Sequence, residues 1–137
     1  MKLLGIDYGK KRLGLAICGP MKIANPLELL VRQDTERDLK ALKAIIEEHE
    51  IIKIVIGLPK NMNNTLGEMA QEATQFAEFL EKETQLPIVL WDERLTTVQA
   101  ERSLIQAGLT RQKRQKSRDS IAAVFMLQSY VDAQDFK

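Results

Sequence analysis

The chain has 137 residues, of which 45% are hydrophobic and 28% charged, with a formal net charge of +1. That length supports one domain with a real core and is short for two, and the balance excludes a disordered chain. A lone cysteine, Cys18, excludes an internal disulfide; no apolar run is long enough to span a membrane and no signal-peptide core opens the chain, so a cytoplasmic protein without a membrane partner is expected.

In chain order, "KLLGIDYG" and "RLGLAIC" are rich in strand formers and are joined by "GKKR", which suits a hairpin. "IANPLELLV" then completes an antiparallel meander. Asp34 or Thr35 can cap a helix whose Leu39, Leu42, Ile45 and Ile46 share one face and which ends near His49, a solvated cap. "IIKIVIG" is a buried strand, followed by the loop "LPKNMNNTLGE" and a helix with Met69, Ala73, Phe76 and Leu80 on one side. "LPIVLWDER" is a further strand that stops in charges, with Trp91 assigned to the core. Thr96 or Thr97 caps a helix through Ala107, closed by Gly108, and the basic "TRQKRQKSR" precedes a last helix from Ser117 to Val131.

Strand-helix-strand crossovers of this length make their strands parallel and cover the sheet with helices. The expected architecture is therefore one α/β domain over residues 1–137. Its mixed five-stranded sheet has three antiparallel strands plus two parallel ones, flanked by helices.

Acids fall at three element ends: Asp7 after the first strand, Asp92 and Glu93 after the last, and Asp119 in the first turn of the final helix. Singly, each has an ordinary role as a turn acceptor, an ion-pair partner of Arg94 or a helix N-terminal charge. Together they point to a divalent cation, because an unpaired carboxylate among Leu3, Leu4 and Ile6 is costly and hard cations take carboxylate oxygens. Successive strand residues point to opposite faces, so one of Asp92 and Glu93 is expected to reach it, and periodicity does not say which. Ala122 and Ala123, on the face of Asp119, are small enough to let that helix lie close to the sheet.

Positive charge gathers beside these acids. Lys10, Lys11 and Arg12 follow Asp7, and Arg111, Lys113, Arg114, Lys116 and Arg118 precede Asp119, an arrangement suited to a phosphate backbone. Asn61, Asn63 and Thr65 offer donors ahead of a helix N-terminus, although the loop lacks the "GK[ST]" ending of a Walker motif.

Four motifs, "GIDYGKKRLGLAI", "GLPKNMNNTLGE", "DERLTT" and "RDSIAAVFML", stand in the order and spacing of the YqgF family, also called RuvX, and the chain resembles that family over nearly its whole length. The resemblance implies a ribonuclease H-like fold and a metal-dependent, RuvC-like nuclease, described both as a Holliday junction resolvase and as a nuclease maturing the 5′ end of pre-16S ribosomal RNA. It matches Asp7, Glu93 and Asp119 to the family's acids, with Mg²⁺ or Mn²⁺ as cofactor and RNA favoured over a four-way DNA junction. A monomer or weak homodimer is expected. Two alternatives stand beside it: a non-catalytic RNA-binding or transcription-associated module, and a phosphate-hairpin ATPase of the sugar-kinase type, for which one domain is too little chain.

Overall fold

The computed structural model describes residues 2–58, 67–92 and 121–135. Strand β1 (Lys2–Asp7) turns back into β2 (Arg12–Cys18), followed by the short β3 (Ala24–Pro26) and β4 (Leu30–Val31). Helix α1 (Thr35–His49), β5 (Ile51–Leu58), α2 (Glu68–Thr84), β6 (Ile88–Asp92) and α3 (Ile121–Asp135) complete the order. The expected third strand is split in two. Pro26 has no N–H for the ladder, and after Leu27 donates to Leu15 O at 2.8 Å the chain leaves β2, pairing with it again at Leu30 and Val31. Among the described residues the sheet therefore has six strands rather than five, in the order β3-β2-β1-β5-β6, with β4 also on β2. As expected, the meander is antiparallel, while β1, β5 and β6 run parallel.

Period-two alternation sorts the side chains onto two buried faces. Leu4 and Ile6 of β1, Leu13 and Leu15 of β2 and Ile54 and Ile56 of β5 meet Leu42 of α1 and Phe76 and Leu80 of α2. Ala16, Cys18 and Val55 face α3 through Ala123, Val124, Leu127 and Tyr130. From Ile54 to Ile56 both faces of β5 are covered, which explains the apolar run there. On α2 the buried stripe is Ala70, Ala73, Phe76, Ala77 and Leu80, whereas Met69 of the expected face is half-buried.

Helix α1 begins where the sequence placed it, with the Asp34 carboxylate accepting from Arg37 N at 2.8 Å. Neither α1 nor α2 stops on glycine: Glu50 and Gln85 take left-handed φ values of 55° and 58°.

The direction of α3 follows from three contacts at or below the middle of β1. Leu127 lies over Gly5, Gln128 Oε1 accepts from Ala24 N at 2.8 Å while its Nε2 donates to Lys22 O at 3.1 Å, and Lys53 Nζ stands 5.3 Å from the Tyr130 ring centre. Ala24 pairs with Cys18 and Cys18 with Leu3, so the later turns of α3 lie at the start of β1. The helix thus runs antiparallel to β1, with its first turn toward the Asp7 end. It continues past the expected Val131 to Asp135. The helix expected to end at Ala107 and the start of the final helix at Ser117 lie outside the described residues. Among the described residues no helix is long and apolar enough to cross a membrane.

Candidate active site at the end of the central strand

Asp7 is the last residue of β1, the central strand. Alternation from Leu3 and Gly5 sets it on the α3 face, and its partners in the two neighbouring strands are Gly14 and Gly57. Neither carries a side chain, so the flanking strands leave the space beside the carboxylate open. A cleft of about 310 Å³ opens there, lined by Asp7, Gly9, Lys11, Arg12, Gly14 and Leu29 among others. The Asp7 carboxylate is half-buried and has no hydrogen-bond or ion-pair partner among the described residues. An acid left so, beside two bases and in contact with solvent, has oxygens free to meet a ligand.

The hairpin turn after Asp7 is tightly built. A Cβ on Gly9 would stand 2.4 Å from Arg12 O, so this position accepts no side chain. The turn exposes Lys10 and Lys11. Lys10 Nζ is 3.9 Å from Glu68 Oε1, a contact between exposed groups that contributes little.

A second cluster fixes the same turn, and periodicity did not reveal it. Arg32, just after β4, donates from Nη1 to Gly9 O at 3.1 Å and from Nε to Asp38 Oδ2 at 3.2 Å, while its backbone N donates to Lys11 O at 2.9 Å. Its guanidinium carbon lies 5.0 Å from the Tyr8 ring centre and 5.2 Å from that of Phe76, and the two rings are themselves 5.4 Å apart. Burial opposes the Arg32 charge, but hydrogen bonds and charge attraction from Tyr8 and Asp38 outweigh it, so its pKa lies above the ordinary arginine value. Asp38 is 4% exposed and also accepts from Gln33 N at 2.9 Å. The available signal was its position: one turn before Leu42, on the apolar face of α1, a carboxylate needs a buried partner.

The other predicted acids are distributed unevenly. β6 is separated from β1 by β5, and the row through Asp7 runs to Gly57 and then Trp91. Trp91 points to the α3 side, tilted against Tyr130 at 5.3 Å and donating from Nε1 to Ser129 Oγ at 3.2 Å. Asp92 therefore belongs to the opposite face, in register with Leu58. Glu93, Arg94, Asp119, Asn61, Asn63, Thr65, Arg111, Lys113, Arg114, Lys116 and Arg118 lie outside the described residues. Among the described residues no group of three or more acids, histidines and cysteines surrounds a cation site. Of the two alanines expected to bring α3 close to the sheet, Ala123 is fully buried but Ala122 is exposed. A close approach is made at Gly5, under Leu127.

The sequence profile of the RuvX family, described as Holliday junction resolvase, matches residues 1–133. The chain belongs to the RuvX family. A relative from Thermoanaerobacter pseudethanolicus is 45% identical over 139 residues, covering 100% of both chains, and one from Halothermothrix orenii is 40% identical over 136 residues, covering 98% of this chain and 97% of its own. Both carry the name "Putative pre-16S rRNA nuclease". The structure of Thermus thermophilus RuvC in complex with a Holliday junction substrate superposes with a TM-score of 0.67 at 14% identity, covering 100% of this RuvX chain and 97% of its own. That likeness shows the fold to be ribonuclease H-like, as the motifs implied. In this RuvX protein the glycine-flanked Asp7 thus stands at the end of the central strand of a nuclease fold.

Proposed function

We propose that this RuvX nuclease processes structured RNA at the 5′ end of pre-16S rRNA, using Mg²⁺ or Mn²⁺ held by Asp7, Glu93 and Asp119. The observation that carries the reading is Asp7 itself, an unpartnered carboxylate among the described residues, between two glycines and facing an open cleft beside Lys11 and Arg12. A bound divalent cation supplies charge neutralisation at the phosphate and an activated water for attack on phosphorus. Asp92 faces away from Asp7, which supports its neighbour Glu93 as the second acid. The antiparallel run of α3 supports Asp119, two residues ahead of Ile121, as the third. Lys10, Lys11 and Arg12 attract the phosphate backbone and orient it across the Asp7 cleft, assisted by Arg94, by Asn61, Asn63 and Thr65, and by the bases Arg111, Lys113, Arg114, Lys116 and Arg118. RNA is favoured by the name of the full-length relatives. Trimming an end needs no paired symmetric sites, so a monomer or weak homodimer suffices.

The family description favours a second substrate, a four-way DNA junction. Purified protein offered a precursor 16S rRNA fragment and a four-way junction side by side, with and without Mg²⁺, separates the two. RNA cleavage that requires Mg²⁺ and is abolished in a folded Asp7→Asn variant is expected. Equal cleavage by the Asn variant overturns the site, junction cutting alone overturns the substrate, and metal-independent binding without turnover of either supports a non-catalytic module instead.

A further inference from the structure

We infer that Arg32 is a positioning residue for the Asp7 centre, holding the turn that links the carboxylate to its neighbouring bases. The inference rests on the metal-site reading above. The Arg32 side chain binds Gly9 O, two residues after Asp7, and its backbone N binds Lys11 O, so the turn is held at both points. The other end of the clamp is rigid: Asp38 is buried in the first turns of α1, and Phe76 belongs to the core of α2. The turn therefore takes its position from two helices on the face opposite Asp7, with the Arg32 guanidinium also set against the ring of Tyr8, the residue after Asp7. Two charged groups are partly or wholly removed from water here, and simple strand pairing would not require them. What they add is a fixed path for the backbone between Asp7 and Lys11. Lysine cannot replace arginine in this role, because one ammonium cannot span Gly9 O and Asp38 while stacking on Tyr8.

Mn²⁺ titration of the full chain, followed by the loss of the free-ion electron paramagnetic resonance signal, tests this without relying on cleavage. Arg32→Lys and Arg32→Met are compared with wild type, with Asp7→Asn, and with Gln128→Ala, which removes hydrogen bonds at the far end of the sheet. At a temperature where all are folded by circular dichroism, Arg32→Lys should weaken Mn²⁺ binding about tenfold, the lower end of losses for residues that orient metal ligands. Arg32→Met should weaken it more, and Gln128→Ala should leave it unchanged despite a lower melting temperature. Uptake that is the same in wild type and Asp7→Asn overturns the metal site itself. Loss in Asp7→Asn with wild-type affinity in Arg32→Lys overturns the positioning role alone, as does equal weakening by Gln128→Ala. If Arg32→Met does not fold, Arg32→Lys decides.

Discussion

Leu127 of α3 rests directly on Gly5 of β1, where an added Cβ would come 3.0 Å from the leucine Cβ and 3.2 Å from its Cδ2. Gly5 lies two residues before Asp7 on the same face, so the depth of this contact sets how close α3 comes to the site. Gly5→Ala should destabilise the protein by about 1–3 kcal/mol, the usual cost of overfilling a packed interface. Urea melts read that loss, and the fluorescence of Trp91, the chain's one tryptophan, should change as Tyr130 moves away from it. Adding Leu127→Ala should recover part of the loss relative to the sum of the single changes, a coupling of about 1 kcal/mol. Strict additivity would show that the two residues do not press on each other.

Salt dependence tests the bases of the hairpin turn. Lys10→Ala and Lys11→Ala should each weaken RNA binding similarly across sequences and reduce the slope of log affinity against log salt by about 0.7, the value for one phosphate contact on a single strand. Filter binding between low and moderate salt measures the slopes; unchanged slopes would remove these lysines from the interface.

Removing Asp38 should be costly, because Arg32 would then keep its charge with 19% of its side chain exposed and without the carboxylate it now pairs with. Asp38→Ala is expected to lower stability by about 3 kcal/mol, the lower end for a broken buried pair since the arginine retains some contact with water. The exposed pair of Arg37 with Asp34, at 3.4 Å, offers an internal comparison: Arg37→Ala should cost less than about 1 kcal/mol. Similar losses in the two variants would contradict the assignment of Asp38 as a buried anchor.

Gln85 ends α2 in the left-handed conformation at φ 58°. A residue with a Cβ is strained there by roughly 1 kcal/mol or more, so Gln85→Gly should raise the melting temperature by a few degrees even though glycine loosens the unfolded chain. A lower melting temperature would mean that the Gln85 side chain contributes more than its backbone costs.

Much of this protein is decided locally and was readable from the chain. Asp34, one of two cap candidates beside Thr35, caps α1 because its carboxylate reaches the N–H of Arg37, three residues on. β5 is apolar without alternation from Ile54 to Ile56 because both of its faces are covered there, and Asp7 stood out as a carboxylate closing an otherwise apolar strand. What the chain could not give is anything set by contact across it. Strand register put Gly14 and Gly57 beside Asp7, turned Asp92 to the other face and inserted β5 between the first and last strands. Asp38's place on the apolar face of α1 says that it needs a partner, but only folding makes that partner Arg32 and brings Arg32 against Gly9 and Tyr8. A residue's own chemistry and its near neighbours fix helix caps and strand periods, whereas the partner of a buried charge and the open space beside a carboxylate depend on which distant backbone lies next to it, and only the assembled sheet decides that.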